Sequence, residues 1–187
     1  MYEATKAIKR RGKAQNDTYF SGSGIDIGAG PDCISKHGYD AYNWDMKDGD
    51  AQYLQSVKDN TYDFVHSSHC LEHMHDPRIA IKHWIRVCKP GGYVVIVIPD
   101  EELYEHNMWP SRFNSDHKWS FRIHTGNMLH AKSMNITDLI RYIWKDSEIL
   151  SITRQETGFD FSLDKHIDQT IPADGPECSI EIILRKK

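Results

Sequence analysis

Two glycines close the apolar stretch Gly24-Ile25-Asp26-Ile27-Gly28-Ala29-Gly30, and Pro31-Asp32-Cys33 follow. Glycines at 28 and 30 let the chain turn sharply and let a ligand approach the backbone without meeting a Cβ. Asp45 stands where a second strand would end, placed to accept both hydroxyls of a ribose. Gly49-Asp50-Ala51 follows, and its carboxylate could accept from an adenine amino group. Each acid alone would normally be a solvated loop residue; the ordered set points to a nucleoside. A dinucleotide would want a third glycine and a helix N-terminus turned to its pyrophosphate. Here Cys33 stands in the third place, Pro31 removes an amide and Asp32 opposes a phosphate. The pattern therefore predicts a ligand without pyrophosphate.

A second group is rich in histidine. His69-Cys70-Leu71-Glu72-His73 matches the inverted zinc-peptidase pattern H-x-x-E-H. That chemistry needs both histidines on one helix face, with the glutamate acting on metal-bound water. A strand ending near His66 and the pair Asp76-Pro77 leave two turns at most. A third ligand, Glu148 or Glu156, would have to come from a predicted strand, so no metal centre is expected. His66, His75 and His83 read as packing or surface residues. Further along, Tyr104-Glu105-His106 and the run Trp109 to Lys118 combine aromatics, an Asp116/His117 pair suited to a general base, and two cations. Arg112 and Lys118 could hold a phosphate or carboxylate.

These residues need a frame. Ile25 to Gly28, Tyr39 to Trp44 and Tyr62 to His66 read as short strands, and Tyr93 to Ile98 is a continuous apolar run of the kind covered on both faces. Helices are predicted over Tyr2 to Arg10, Asp32 to Lys36, Ala51 to Val57, from Pro77, and from Asn135 or Thr137 to Lys145 with Leu139, Ile140, Ile143 and Trp144 inward. Ile149 to Glu156 and Cys178 to Arg185 alternate as two final strands. Strands alternating with helices argue for an α/β domain with a largely parallel sheet and right-handed crossovers. The basic cluster Lys6, Lys9, Arg10, Arg11 and Lys13 reads as a solvated helix face. Asp100 to Met134 does not fit the alternation and reads as a substrate-binding insert or lid.

The chain has 187 residues and a formal net charge of −4. That suits one domain and argues against a duplex nucleic-acid partner. Val94 to Ile98 falls far short of the ~20 residues a membrane helix needs. The basic, polar start has no signal-peptide core. Cys33, Cys70, Cys88 and Cys178 form no CxxC pair and read as free thiols of a reducing compartment, so a cytoplasmic protein is expected.

Asp26-x-Gly28-x-Gly30 followed by an acid after the next strand resembles the class I S-adenosylmethionine-dependent methyltransferases. Gly49-Asp50-Ala51 is similar to that family's adenine-side motif. Tyr62-Asp63-Phe64-Val65 followed by Leu71-Glu72-His73 resembles the fourth-strand motif of its small ubiquinone/menaquinone-type branch. Lys89-Pro90-Gly91-Gly92 is similar to the turn before its fifth strand. The resemblance spans about residues 24–100. It implies a Rossmann-like α/β fold, mostly parallel with an antiparallel last strand, over a single domain of residues 1–187 with the insert at about 100–134. Gly49 follows so soon after Asp45 that the family's third strand should be missing or shortened. The family's cap over the cofactor should also be small, and a homodimer partner could complete the site.

The resemblance also implies the site. S-adenosylmethionine would contact Asp26, Gly28, Ala29, Gly30, Asp45, Asp50, Ala51, Ser67, Ser68 and His69. Glu72 would face the acceptor, with His73 in catalysis; the insert's own composition, rather than the resemblance, adds Tyr104, Trp109, Arg112 and Lys118 on the acceptor, with His117 and Asp116 in catalysis, and bears on what the acceptor is. The acceptor would be a small polar molecule such as a sugar or a phosphorylated metabolite rather than a hydrophobic quinone. Three other readings compete: a zinc hydrolase on His69, Glu72 and His73, a nicotinamide oxidoreductase, and a silent module that binds the cofactor and transfers nothing.

Overall fold

A computed structural model describes residues 2–123 and 128–187. Six strands form one sheet in the order β2-β1-β3-β4-β8-β7. They are β1 (Gly24–Ile27), β2 (Ala41–Trp44), β3 (Tyr62–Ser68), β4 (Cys88–Pro99), β7 (Ser147–Gln155) and β8 (Ser179–Lys186). The pairs β2·β1, β1·β3 and β3·β4 are parallel, and β8 runs antiparallel between β4 and β7. A small parallel pair, β5 (Ser120–Arg122) and β6 (Ser133–Asn135), lies in the insert. No described strand lies beyond β2, so the sheet ends where the family's third strand would start.

Alternation along the strands builds two cores. Val94, Ile96, Ile98 and Val65 face helix α2 (Pro77–Val87) and helix α3 (Ile136–Ile140). Val95, Phe64 and Ile183 face helix α1 (Glu3–Tyr19). Val94 to Ile98 is sealed on both sides, each residue contributing about 1.5–3 kcal/mol on burial. Helix α2 starts as its sequence dictates: Asp76 accepts from Arg78 N at 2.9 Å and Pro77 holds the first turn. Ala80, Ile81, Trp84, Ile85 and Val87 are buried, while Ile79 stays exposed.

Several local expectations are corrected. No α-helix follows β1; residues 29–33 form an open turn and Ile34–His37 a 3-10 turn, because Asp26 in the strand captures Ile34 N at 2.9 Å. Residues 51–57 are turns rather than a helix. Helix α3 ends at Ile140, and Trp144, expected inward, is 57 % exposed. Helix α1 runs nine residues past its expected end at Arg10, with a break at Gly12 (φ 73°).

The basic face of α1 is the largest correction. Lys6 is buried against Glu3 at 2.8 Å. Arg10 reaches Glu177 at 2.6 Å and Glu181 at 2.7 Å, and the fully buried Arg11 side chain also pairs with Glu181 on β8. Lys9, exposed, and Lys13, paired with Asp17, match the solvated reading. The cations staple α1 to the sheet, and their partners are too distant in sequence to be read locally. No helix among the described residues is long and apolar enough to cross a membrane.

Candidate active site

The glycine turn lies at the carboxyl end of β1, where open α/β sheets bind ligands. Gly28 (φ 71°) and Gly30 (φ 51°) both take left-handed backbone. A Cβ on Gly28 would lie 2.6 Å from the Cys70 side chain, so glycine there is needed for packing. A Cβ on Gly30 would meet only the Gly28 carbonyl, at 4.0 Å, which leaves the backbone bare toward the cleft. Gly28 N and Ala29 N donate to the Trp44 carbonyl at 2.9 and 3.2 Å. This brings Asp45, the next residue, alongside the turn.

A cleft of about 160 Å³ is lined by Gly28, Ala29, Gly30, Asp26, Ser68 and His69 from the expected set. Glu3, Ala4, Pro31 and Asp32 complete it, and the sequence reading missed Glu3 and Ala4. Thr5 clamps α1 over the cleft, donating N–H and hydroxyl to the two Asp32 oxygens at 3.1 and 2.5 Å. Asp26 is committed to support: besides Ile34 N, it meets buried His66 Nδ1 at 2.6 Å. Ser67 lines no part of the cleft, because its hydroxyl donates to Ile27 O at 3.0 Å across the β1–β3 seam. Asp50 is exposed and accepts from Gln52 N, and the Ala51 carbonyl accepts from Trp84 Nε1. Neither belongs to the cleft lining.

The cleft wall is acidic. Burial raises the Glu3 carboxyl to about 7 against the pull of Lys6, and Glu3 Oε2 is buried without a partner. Together with Asp32 and Asp26 it favours a cationic ligand over a pyrophosphate, which removes the basis for a dinucleotide.

The second group assembles around the turn after β3. A 3-10 turn, Leu71–His73, carries Glu72 and His73, and the insert is tied to it by Lys118 N and Trp119 N, both donating to Glu72 O at 2.9 and 3.1 Å. This places His117 beside Glu72, with Nε2 3.9 Å from Oε1. His73 Nε2 lies at the same 3.9 Å from that oxygen. The expected Asp116/His117 pair is corrected. Asp116 bonds His73 Nδ1 at 3.0 Å, whereas His117 Nδ1 is held by Glu105 at 2.7 Å. Neighbouring side chains on an extended turn diverge, and this one sends Asp116 to His73 and His117 to Glu105.

Glu72 is fully buried and neither oxygen has a hydrogen-bond partner, so its carboxyl is pushed upward. Burial pulls the His117 imidazolium down, but Glu105 and Glu72 outweigh it and the net direction is up. Burial pushes His69 down to about 3. His69, on the cleft wall, stands two residues before the 3-10 turn that carries Glu72 and His73. The cleft and the histidine cluster are thus adjacent.

Other insert residues lie elsewhere. Tyr104 is buried and packs on His117 with ring centroids 5.4 Å apart. Trp109 stacks on His130 at 4.5 Å. Arg112 is exposed against His166, and Lys118 leans 3.5 Å from Asp116. His124–Asn127 of the insert lie outside the described residues.

A family model for the methyltransferase domain matches residues 5–139. The chain belongs to the methyltransferase-domain family. Two solved structures share the fold of this methyltransferase. One is from Thermotoga maritima, described as a SAM-dependent methyltransferase and possible histamine N-methyltransferase. It has 21% identity and a TM-score of 0.57, covering 100% of this chain and 88% of its own. The other is a SAM-dependent methyltransferase from Archaeoglobus fulgidus, with 22% identity and a TM-score of 0.57, covering 100% and 95%. No curated protein matches by sequence.

The methyltransferase is a class I, S-adenosylmethionine-dependent enzyme. When bound, that cofactor supplies an electrophilic methyl on a sulfonium. The residues fit it: the acidic cleft suits a sulfonium and an ammonium, and the unpartnered Glu3 Oε2 is an acceptor for the latter. Asp45 is half-buried beside the turn and caps Met46 N at 2.8 Å. Asp45→Asn keeps the cap but removes the charge. It should weaken S-adenosylhomocysteine binding at least about tenfold, a charged hydrogen bond being worth ~1.5–3 kcal/mol, with little change in melting temperature. Calorimetric titration checks this, and undiminished affinity would remove the ribose role.

Proposed function

We propose that this enzyme methylates an oxygen of a small, polar, hydroxyl-bearing acceptor held at Glu72, His73 and His117. The observation that carries the reading is His117 itself. Its ring is buried and fixed by Glu105, and its Nε2 lies 3.9 Å from Oε1 of Glu72, three residues along the chain from His69 of the cleft. An oxygen acceptor must lose a proton as the methyl arrives, and a held imidazole suits that task. An amine that is already deprotonated would need no such group. Holding the acceptor in line with the methyl lowers the barrier further by fixing orientation.

Two expectations are narrowed. The core resembles the ubiquinone/menaquinone-type branch in the turn after β3, but the acceptor side is polar rather than apolar. Arg112 and Lys118 are engaged with His166 and Asp116, so an anion clamp built on them has no support here. Incubation with methyl-tritiated S-adenosylmethionine and panels of polyols, sugars, phosphorylated sugars, hydroxy acids, amines and quinols tests the reading. Label should enter the hydroxylated polar compounds. Label confined to amines or to apolar quinols would overturn it.

A further inference from the structure

Among the described residues, one group gathers ligand atoms as a metal site does. Glu72, His73 and His117 each present an atom within 4.8 Å of the others. The sequence pattern H-x-x-E-H suggested a different trio, but His69 is outside this group; its Nδ1 meets Ser68 Oγ at 3.3 Å and it lines the cofactor cleft. The third member comes instead from the insert, 44 residues after His73.

Three independent features point to a cation. First, the second nitrogen of each ring is already taken by a carboxylate, His73 Nδ1 by Asp116 and His117 Nδ1 by Glu105. A carboxylate on one ring nitrogen fixes the proton there and aims the lone pair of the other at an ion. Second, both Nε2 atoms converge on one oxygen, Glu72 Oε1, at 3.9 Å. Third, that carboxylate is fully buried with no hydrogen-bond partner for either oxygen. Buried unpaired carboxylates are rare unless a proton or a metal neutralises them. The one lysine nearby, Lys118, is turned to Asp116.

We infer that Glu72, His73 and His117 bind one divalent transition-metal ion, leaving coordination positions open for an oxygen of the methyl acceptor. Two imidazoles and a carboxylate suit zinc, iron, manganese or cobalt, whereas magnesium and calcium prefer oxygen alone. Bonds of ~2.1 Å in a tetrahedral site set ligand atoms ~3.4 Å apart, so each of the two nitrogens closes on Glu72 Oε1 by about half an ångström on binding. His73, with 24 % of its side chain exposed, gives the ion a way in. The ion would offset the negative charge of Glu72, Glu105 and Asp116. It would also make an acidic site hospitable to an oxygen donor. Ion binding stands on the three side chains alone; its service to the acceptor rests on the proposed hydroxyl acceptor, with His117 Nε2 then a ligand and the ion, in place of the imidazole, easing loss of the hydroxyl proton to solvent.

The test uses the full chain, stripped with chelator and titrated with Co²⁺ and Zn²⁺. Stoichiometry is read by elemental analysis and ligand type by the visible Co²⁺ spectrum. One ion per chain is expected, with affinity reduced about 100-fold or more in Glu72→Gln, His73→Ala and His117→Ala, and unchanged in His69→Ala. Far-ultraviolet circular dichroism and the melting temperature of every variant control for folding. Absence of a stoichiometric ion, or affinity that the three substitutions leave intact, overturns the inference. A bound ion without methylation of any polar acceptor would leave the metal site standing and sink the acceptor reading. Loss of turnover in His117→Ala without any ion would do the reverse.

Discussion

Replacing His117 with alanine is expected to lower methyl-transfer turnover by about 10²–10⁴-fold, the usual contribution of a positioned proton-transfer group. S-adenosylhomocysteine affinity should stay within a few-fold. The expectation follows from how much of the structure is arranged to hold one ring. Glu105 fixes Nδ1, Tyr104 packs on the face, and the two backbone N–H groups after His117 grip the Glu72 carbonyl. Nε2 is thereby held 3.9 Å from Glu72, where on the proposed readings it serves as proton acceptor or metal ligand. Both roles are lost with the ring. The cofactor cleft is built from other residues, chiefly the glycine turn, Glu3 and His69, so its affinity should survive. Turnover within a few-fold of the parent, with cofactor binding intact, would remove His117 from the chemistry. Glu105→Gln, which keeps an acceptor for Nδ1–H, should retain more activity than His117→Ala, because Glu105 positions the ring without touching substrate.

The second large effect concerns stability. Glu181→Ala should destabilise the fold by about 3–5 kcal/mol, the usual penalty for leaving a buried charge without its partner. Glu181 sits on β8, 3 % exposed, and meets both Arg10 and Arg11. The Arg11 side chain is wholly buried and has only Asn16 as a further hydrogen-bond partner for Nε at 2.8 Å. Removal of the carboxylate strands that guanidinium under α1. Marginal domains hold about 5–15 kcal/mol in all, so denaturant midpoint and melting temperature should both fall sharply. Helix α1 carries Glu3 and Thr5 to the cleft, and cofactor affinity should therefore weaken in the same variant. A loss below about 1 kcal/mol would show that α1 is held by its apolar contacts alone.

The same pair sets an acid limit. Burial raises the Glu181 carboxyl, but the hydrogen bond from Arg10 and the charge of Arg11 outweigh it, and the net direction is down. A depressed folded pKa means the stabilisation is present above the ordinary glutamate range. It is lost as pH falls below about 4.5 toward the folded value. Glu181→Ala should flatten that part of the stability profile.

Some of this protein was legible in its residues. Glycines at 28 and 30, the acid at 45, the run Tyr93 to Ile98 and the Lys89-Pro90-Gly91-Gly92 turn act through local backbone geometry and periodicity. Such signals survive without knowledge of the rest of the chain. They sufficed for the α/β sheet, its truncated edge after β2, the glycine-turn cleft and the methyltransferase family. They also singled out Glu72, His73, Asp116 and His117 as chemically interesting.

Tertiary structure alone decided how those residues pair. Asp116 and His117 are adjacent in sequence, yet Asp116 pairs with His73 and His117 with Glu105, because side-chain direction depends on the path of the insert. That path is set by hydrogen bonds from Lys118 and Trp119 to Glu72, more than forty residues away. Arg11 becomes a buried staple only because β8 slots between β4 and β7 and delivers Glu181. The helix expected after Gly30 gave way to a turn, since Asp26 captured the Ile34 N–H that the helix would need, and residues 51–57 form turns as well. Local sequence fixes which conformations and chemistries are available; contacts between distant segments choose among them, because only packing brings those partners within bonding distance.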